Sequence, residues 1–457
     1  MADFIPHTTA EIDGMLAFLG LSSLDDLFSV VPEALRLVAT PAEEAGDQRF
    51  LHLADGLGEP DVMAEMERLG SANIACRGRS VSEGLVCFAG AGAYDHELPE
   101  AVRSLSGRSE YVTAYTPYQP EVAQGVLQAL FEYQTLIARL SGLEIANASL
   151  YDGASACVEA ANLAAAATGR PEMWLSDGVH PHWRATMATF AAGSGLRLVD
   201  VPLADGLTRW SPLPPGQPGA LVVQYPNYLG CLEDLSAARR AADEAGALLV
   251  VANDAVAAGL LRSPGSWGAD VVVGEGQPFG TPLSFGGPYL GLFSCRAEHV
   301  RRLPGRLVGE TVDGEGRRAY VSTLRTREQD IRREKASSNV CTNQTLIAVA
   351  CAIQLAWLGT TGLRELALRC ARATRYTRES LLAIDGIEAL CSAPVLREFA
   401  VRLPVDPTTV VERMVDEGFL AGVVLDGPEP GLLVAATERR TRAEIDAYAA
   451  AMTKAVR

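Results

Sequence analysis

The chain has 457 residues, of which 48% are hydrophobic and 21% charged, and its 39 Lys+Arg against 56 Asp+Glu give a net charge of −17. That composition is globular and excludes a disordered tail, a collagen-like chain and a disulfide scaffold. The acidic balance argues against binding to nucleic acid or to an anionic membrane surface.

In chain order, Thr8-x-x-Glu11 has the form of a capping box before MLAFLG, with Gly20 as the stop. A second short helix is predicted near Asp61 to Leu69, and residues 1–112 read as an N-terminal arm. A long helix from Glu121 to Leu140 repeats Val122, Val126, Leu130, Tyr133, Ile137 and Leu140 at helical spacing and ends at Gly142. An alanine-rich helix follows Asp152-Gly153 as far as Ala167. Apolar strands then alternate with helices: MWLSD, LRLVDV, ALVVQYP, ALLVVAND and DVVVGEG, with PHWRATMATFAA and LSAARRAADEAG among them. This pattern predicts a mostly parallel sheet covered on both faces, in a large α/β domain over 113–335. Ligands in such sheets bind beyond the C-terminal ends of the strands. Two helices (about 341–358 and 362–384), the strand EFAVRLP, a helix near 407–418, the strand GLLVAAT and a helix from Thr441 make a smaller α+β domain over 336–457. No apolar run is read as long enough to span a bilayer, which takes about 18 residues or more. MADFIPHTT has neither the basic nor the apolar region of a signal peptide. The nine cysteines lack C-x-x-C spacing and most lie in apolar surroundings, which predicts reduced, buried thiols and a cytoplasmic protein.

Several segments have the residue types of a site. Asp254 ends a predicted strand, where a carboxylate can hold a protonated ring nitrogen of a cofactor, as pyridoxal phosphate chemistry requires, or can simply cap the next turn. The turn Asp152-Gly153-Ala154-Ser155 opens a helix whose free N–H groups suit a phosphate, or is an ordinary cap. The loop after the last parallel strand, with Glu275 and Gln277, holds six glycines and three prolines between 274 and 291, as a loop shaped around something needs. Tyr94 and His96 stand in FAGAGAYDHELP, and Tyr115, Tyr118, Gln119 and Glu121 in YVTAYTPYQPE, whose prolines forbid regular structure. Residues 296–335 hold ten arginines and Lys335 against seven acids, a net of +4. Such a stretch is either a surface for an acidic partner or a solvated helix face. The six scattered histidines make no metal constellation.

FAGAGAYDH, YTPYQPE, GLEIANASLYDGASA, VHPHWRA, QYPNYLGCLED, VVVGEGQPFGTPLSFGGPYLG, PGRLVGETVD and TREQDIRREKASSNVCTNQ, in this order, resemble the decarboxylating glycine dehydrogenases, the P-proteins of the glycine cleavage system. The resemblance is nearest to the first chain of the two-chain forms, and it runs from about residue 4 to the C-terminus. It implies a pyridoxal phosphate fold of type I. It also implies that glycine is decarboxylated and its aminomethyl group passed to the lipoyl arm of a carrier protein. The expected assembly is two of each subunit, with the cofactor and its Schiff-base lysine on subunit 2. In the order of this fold, the lysine position here falls near Gln277, which has no nucleophilic amine. The chain's two lysines, Lys335 and Lys454, lie elsewhere. Asp254, Asp152, Gly153 and Ser155 would then be a relic cofactor pocket. Tyr94, His96, Tyr115, Tyr118, Gln119 and Glu121, with Glu275, Gln277 and Asn339, would border the partner's site. Two alternatives stand beside this one: a self-sufficient enzyme using Lys335, and a non-catalytic scaffold.

Overall fold

The computed structural model describes residues 6–35, 56–76, 84–113, 116–336, 338–426 and 430–457. The chain divides into two compact units, residues 1–74 and 75–457. In the first, α1 (Thr9–Leu19) has the predicted capping box. The Glu11 N–H donates to Thr8 Oγ1, and the Thr8 N–H to Glu11 Oε2 at 2.7 Å. Gly20 ends it at φ 70°, and α2 (Glu59–Ser71) completes the described helices of this unit. Residues 84–112, read from sequence as arm, belong to the second unit, where Val86–Cys87 pairs in parallel with Phe419–Leu420.

The second unit is built on a seven-stranded sheet. In chain order its strands are β1 (Ile145–Ala146), β2 (Glu172–Ser176), β3 (Arg197–Val201), β4 (Ala220–Tyr225), β5 (Leu248–Asn253), β6 (Val271–Glu275) and β7 (Gly291–Cys295). They lie in the order β1-β7-β6-β5-β4-β2-β3, parallel except for β7, which runs antiparallel to both neighbours. The helices α3 (Gln124–Ser141), α4 (Gly153–Thr168), α5 (Pro181–Ser194) and α6 (Leu235–Ala245) alternate with it as the sequence predicts. α3 begins at Gln124, not Glu121, because Pro120–Val122 forms a 3-10 turn first. Trp174, Leu221 and Val251 enter a core on one face of the sheet, and Leu175, Val222 and Val250 a core on the other. This double burial is why the strands read as unbroken apolar runs.

The stretch 296–335 contains an antiparallel hairpin, β8 (Leu307–Val312) and β9 (Arg318–Thr323), and ends in TREQDIRREK, the segment whose charge spacing allows a solvated helix face. Gln329–Arg332 in that segment is α-helical, while the β-branched and aromatic residues of LVGETV and RAYVST favour the hairpin strands. α7 (Thr345–Leu382) joins the two predicted helices, with non-helical backbone at Gly359 between them. By length and composition it is apolar enough to cross a membrane, a span not expected from the sequence. Its Ala348, Cys351, Leu355 and Leu363 share one core cluster with Tyr133 and Ile137 of α3, so this apolar face is used in packing. A small antiparallel sheet follows: β10 (Glu388–Ala389), β11 (Glu398–Arg402), β12 (Val423–Leu425) and β13 (Gly431–Ala435), in the order β10-β11-β13-β12. It is covered by α8 (Pro407–Asp416) and α9 (Arg442–Ala455).

Candidate functional site

Asp254 follows β5 at the C-terminal edge of the sheet. Its Oδ1 accepts the Val256 N–H at 2.9 Å, and its Oδ2 pairs with Arg397 Nη2 at 2.7 Å. It therefore closes a turn and binds a cation together, but the cation is the chain's own. Arg397 immediately precedes β11 and is 5% exposed. Its guanidinium lies 3.5 Å over the Tyr94 ring, and its Nη1 is 2.8 Å from His96 Nε2. A guanidinium only donates, so Nε2 accepts, and Nδ1 carries the proton given to Glu438 Oε2 at 2.7 Å. Burial opposes ionisation of Glu438, yet His96 and the Glu97 N–H hold its carboxyl down to about 2.

Tyr94 Oη donates to Glu398 Oε1 at 2.6 Å, and the Ala91 N–H donates to Glu398 Oε2 at 3.0 Å. Burial pushes the Glu398 carboxyl up to about 7 despite these bonds and the nearby Arg397. Gln277 is clamped on backbone. Its Oε1 accepts the Tyr94 N–H, and its Nε2 donates to the Tyr94 and Thr281 carbonyls, each at 3.1 Å. Glu275 sits at the N-terminus of α4. Its Oε2 accepts the Gly153 N–H at 3.0 Å, and its Oε1 the Gln277 and Leu290 N–H groups at 2.9 Å. Burial raises its carboxyl to about 7 against those three donors. Asp152 Oδ1 caps the same helix by accepting the Ser155 N–H at 2.7 Å. Trp183 also closes the turn, for a Cβ on Gly153 would stand 2.2 Å from its Cζ2.

What remains between Tyr94, His180, Trp183, Asp254, Glu275 and Arg397 is a cavity of about 40 Å³. Small-molecule pockets commonly run to about 300–1,000 Å³. The residues present do not fit pyridoxal phosphate: the aspartate is paired, the helix N-terminus holds a carboxylate, and Gln277 has no amine. Neither lysine supplies one. Lys335 is exposed on the turn Arg333–Lys335, and Lys454 pairs with Glu417 at 2.8 Å.

Of the residues placed by sequence beside a partner's site, Tyr94 and Glu275 line this chain's own pocket, and His96 and Gln277 are held next to it, His96 against Arg397 and Gln277 on the Tyr94 backbone. Tyr94 is 5% and Gln277 1% exposed, and the His96 side chain is 4% exposed. Each finds its polar partners within the chain, which is why they turn inward. Asp254 lines the same pocket, and Gly153 lies behind it against Glu275 and Trp183, with Asp152 and Ser155 forming its helix cap. Tyr118, Gln119, Glu121 and Asn339 are exposed, and Tyr115 lies outside the described residues. Arg306 Nη2 donates to Tyr118 Oη at 3.1 Å, and the Arg306 and Arg325 guanidinium groups lie 4.9 and 5.4 Å from its ring. Sequence reasoning missed Arg397, Glu398 and Glu438, whose segments carry no local signal for a pocket across 140 residues or more of chain. His96, Cys370 and Glu438 bring possible metal-ligand atoms within 4.8 Å of one another. Both ring nitrogens of His96 are already hydrogen-bonded, one of them to a guanidinium, so the trio reads as a link in a hydrogen-bonded chain.

A family-wide profile described as Glycine cleavage system P-protein matches residues 2–452. The probable glycine dehydrogenase (decarboxylating) subunit 1 of Desulforamulus reducens is 43% identical over 454 residues, 98% of each chain. The protein of the same name from Moorella thermoacetica is 45% identical over 456 residues, again 98% of each. A crystal structure of glycine decarboxylase (P-protein) of the glycine cleavage system, in inhibitor-bound form, superposes with a TM-score of 0.89 at 43% identity, over 99% of this chain and 100% of that one. A cysteine desulfurase from Escherichia coli, 15% identical with a TM-score of 0.60 over 88% of this chain and 99% of that one, shares the fold alone, of pyridoxal phosphate type I. On a family match across nearly its whole length, the chain belongs to the glycine cleavage system P-protein family.

Proposed function

We propose that this chain is the first subunit of a two-chain decarboxylating glycine dehydrogenase, assembled with the second subunit as two of each, and that pyridoxal phosphate is held by the second subunit. The filled pocket at Asp254 carries this reading, because a chain of this family that leaves no room for the coenzyme needs a partner that has it. In the proposed reaction glycine loses its carboxyl group, and the aminomethyl group passes to the lipoyl group of a small carrier protein. This chain's part is to wall and orient. Tyr118, Gln119, Glu121 and Asn339 are exposed polar groups suited to bordering a site on another chain, where they would exclude water and position glycine. The nine free cysteines, most of them buried, support a cytoplasmic location.

The test is reconstitution. The chain is mixed with a lysine-bearing subunit 2 and a lipoyl carrier, and glycine–bicarbonate exchange is followed. Exchange is expected only with both subunits present. Exchange by either subunit without the other, or a borohydride-trapped coenzyme adduct on Lys335, would overturn the proposal.

A further inference from the structure

The pocket is closed by a particular set of charges. Glu275 places a carboxylate on the Gly153 N–H, where a helix N-terminus would otherwise favour a phosphate. Arg397 places a cation on Asp254, where a protonated ring nitrogen would otherwise sit, and its planar guanidinium lies 3.5 Å over the Tyr94 ring. Gln277 is pinned by three hydrogen bonds to backbone at the lysine position. A carboxyl group, a planar cation and a neutral amide thus stand where this fold would hold a phosphate, a pyridinium and an amine. One of the plugging groups, Arg397, also ties distant segments together, with its neighbour Glu398. Arg397 and Glu398, at the start of β11, reach Asp254 at the end of β5 and Tyr94 and Ala91 before α3. The β-bridge Cys231↔Val395 and the Leu232 N–H to the Pro394 carbonyl, at 2.8 Å, close the same seam.

We infer that Glu275 and Arg397 act as built-in substitutes for the coenzyme's phosphate and ring cation, so that they, and not only the missing lysine, exclude pyridoxal phosphate, while Arg397 also fastens the C-terminal sheet to the large one. This rests on the reading that the coenzyme belongs to the other subunit, and it adds that restoring the lysine is not enough.

The experiment uses the full chain without a partner, with uptake of pyridoxal phosphate measured by equilibrium dialysis and by the mass of the borohydride-reduced protein. The wild type and Gln277→Lys are expected to take up none. Gln277→Lys combined with Glu275→Ala and Arg397→Ala is expected to take up one equivalent, trapped at position 277. Uptake by the wild type at this pocket, or by Gln277→Lys alone, overturns the inference, as does a folded triple variant that binds none. Should the triple variant not fold, Arg397→Ala is titrated with methylguanidinium ion, an analogue of the lost side chain. Its Tm is expected to rise by several degrees while that of the wild type stays put, and no rise overturns the inference. The two readings fail separately. Coenzyme in this pocket with exchange still dependent on subunit 2 removes only the inference, and lost dependence on subunit 2 with an empty pocket removes only the proposed function.

Discussion

The chain presents two clusters of tyrosine, arginine and acid that look alike in sequence and behave differently in the structure. Around Asp254, the aromatic ring of Tyr94 and the charges of Arg397, Glu398 and Glu275 are enclosed and answered within the chain. Around Tyr118, 49% exposed, a phenol between Arg306 and Arg325 is offered to solvent, with Gln119, Glu121 and Asn339 exposed on the surface as well. In the first region each polar group lost leaves another uncompensated in a medium of low dielectric. In the second, water stands ready to replace any partner removed. Residue type therefore says little about role until burial is known. The enclosed cluster governs stability, and the exposed one is free to serve another chain.

This contrast can be broken most directly at Arg397. Arg397→Met strands Asp254 in the pocket and is expected to cost about 3–5 kcal/mol of unfolding free energy in chemical denaturation of the full chain. Asp254→Asn/Arg397→Met is expected to cost less than the sum of the two single changes, since neither charge is then left alone. A double variant no better than the sum would show that the pair is not coupled. Gly153→Ala drives a methyl into Trp183 and is expected to cost about 1–3 kcal/mol. Gly125→Ala, beside the exposed loop and on helix α3, meets nothing within 4 Å and is expected to gain about 0.5–1 kcal/mol. Equal effects of the two substitutions would erase the distinction.

The pocket also predicts a pH dependence. Glu275 and Glu398 are both raised from the ordinary 4.5 to about 7, so between those values the native chain holds protons that the unfolded chain has released. Stability is therefore expected to fall as the pH rises through this window, by on the order of 1 kcal/mol per unit for each group that behaves fully. Glu438, held at about 2, acts in the opposite sense: its contribution is complete above 4.5 and is lost as the pH falls towards 2. Glu398→Gln should flatten the fall between pH 4.5 and 7 in a series of thermal melts, and an unchanged slope would remove Glu398 as its source. The smallest stability effects are expected outside. Tyr118→Ala should cost about 0.5–1 kcal/mol through its lost cation–π contacts, and Asn339→Ala less than about 0.5 kcal/mol. Both should nevertheless slow exchange in the two-subunit complex. Unchanged exchange in both would move the shared site away from this face.

Much of the fold is legible without coordinates because the signals are local. Apolar runs such as ALLVVAN can only be strands buried on both faces, Thr8 and Glu11 mark a helix start, and Gly142 marks a helix end. The hairpin of β8 and β9 was less legible, since it lies in a basic stretch read for its charge, while only its β-branched and aromatic residues mark it as strand. α7 shows the converse: an uncharged stretch long enough to span a bilayer packs one face into a core cluster, and only its neighbours in space reveal that. The lack of a usable lysine, the acidic balance and the motifs that resemble the P-proteins were determined by the order of residues alone. Which polar residues turn inward was decided by tertiary structure. Arg397 meets Asp254 across 143 positions of sequence and Tyr94 meets Glu398 across 304. No local pattern encodes such pairings, because the cost of burying a charge, and the partner that offsets it, exist only once the two sheets are packed together.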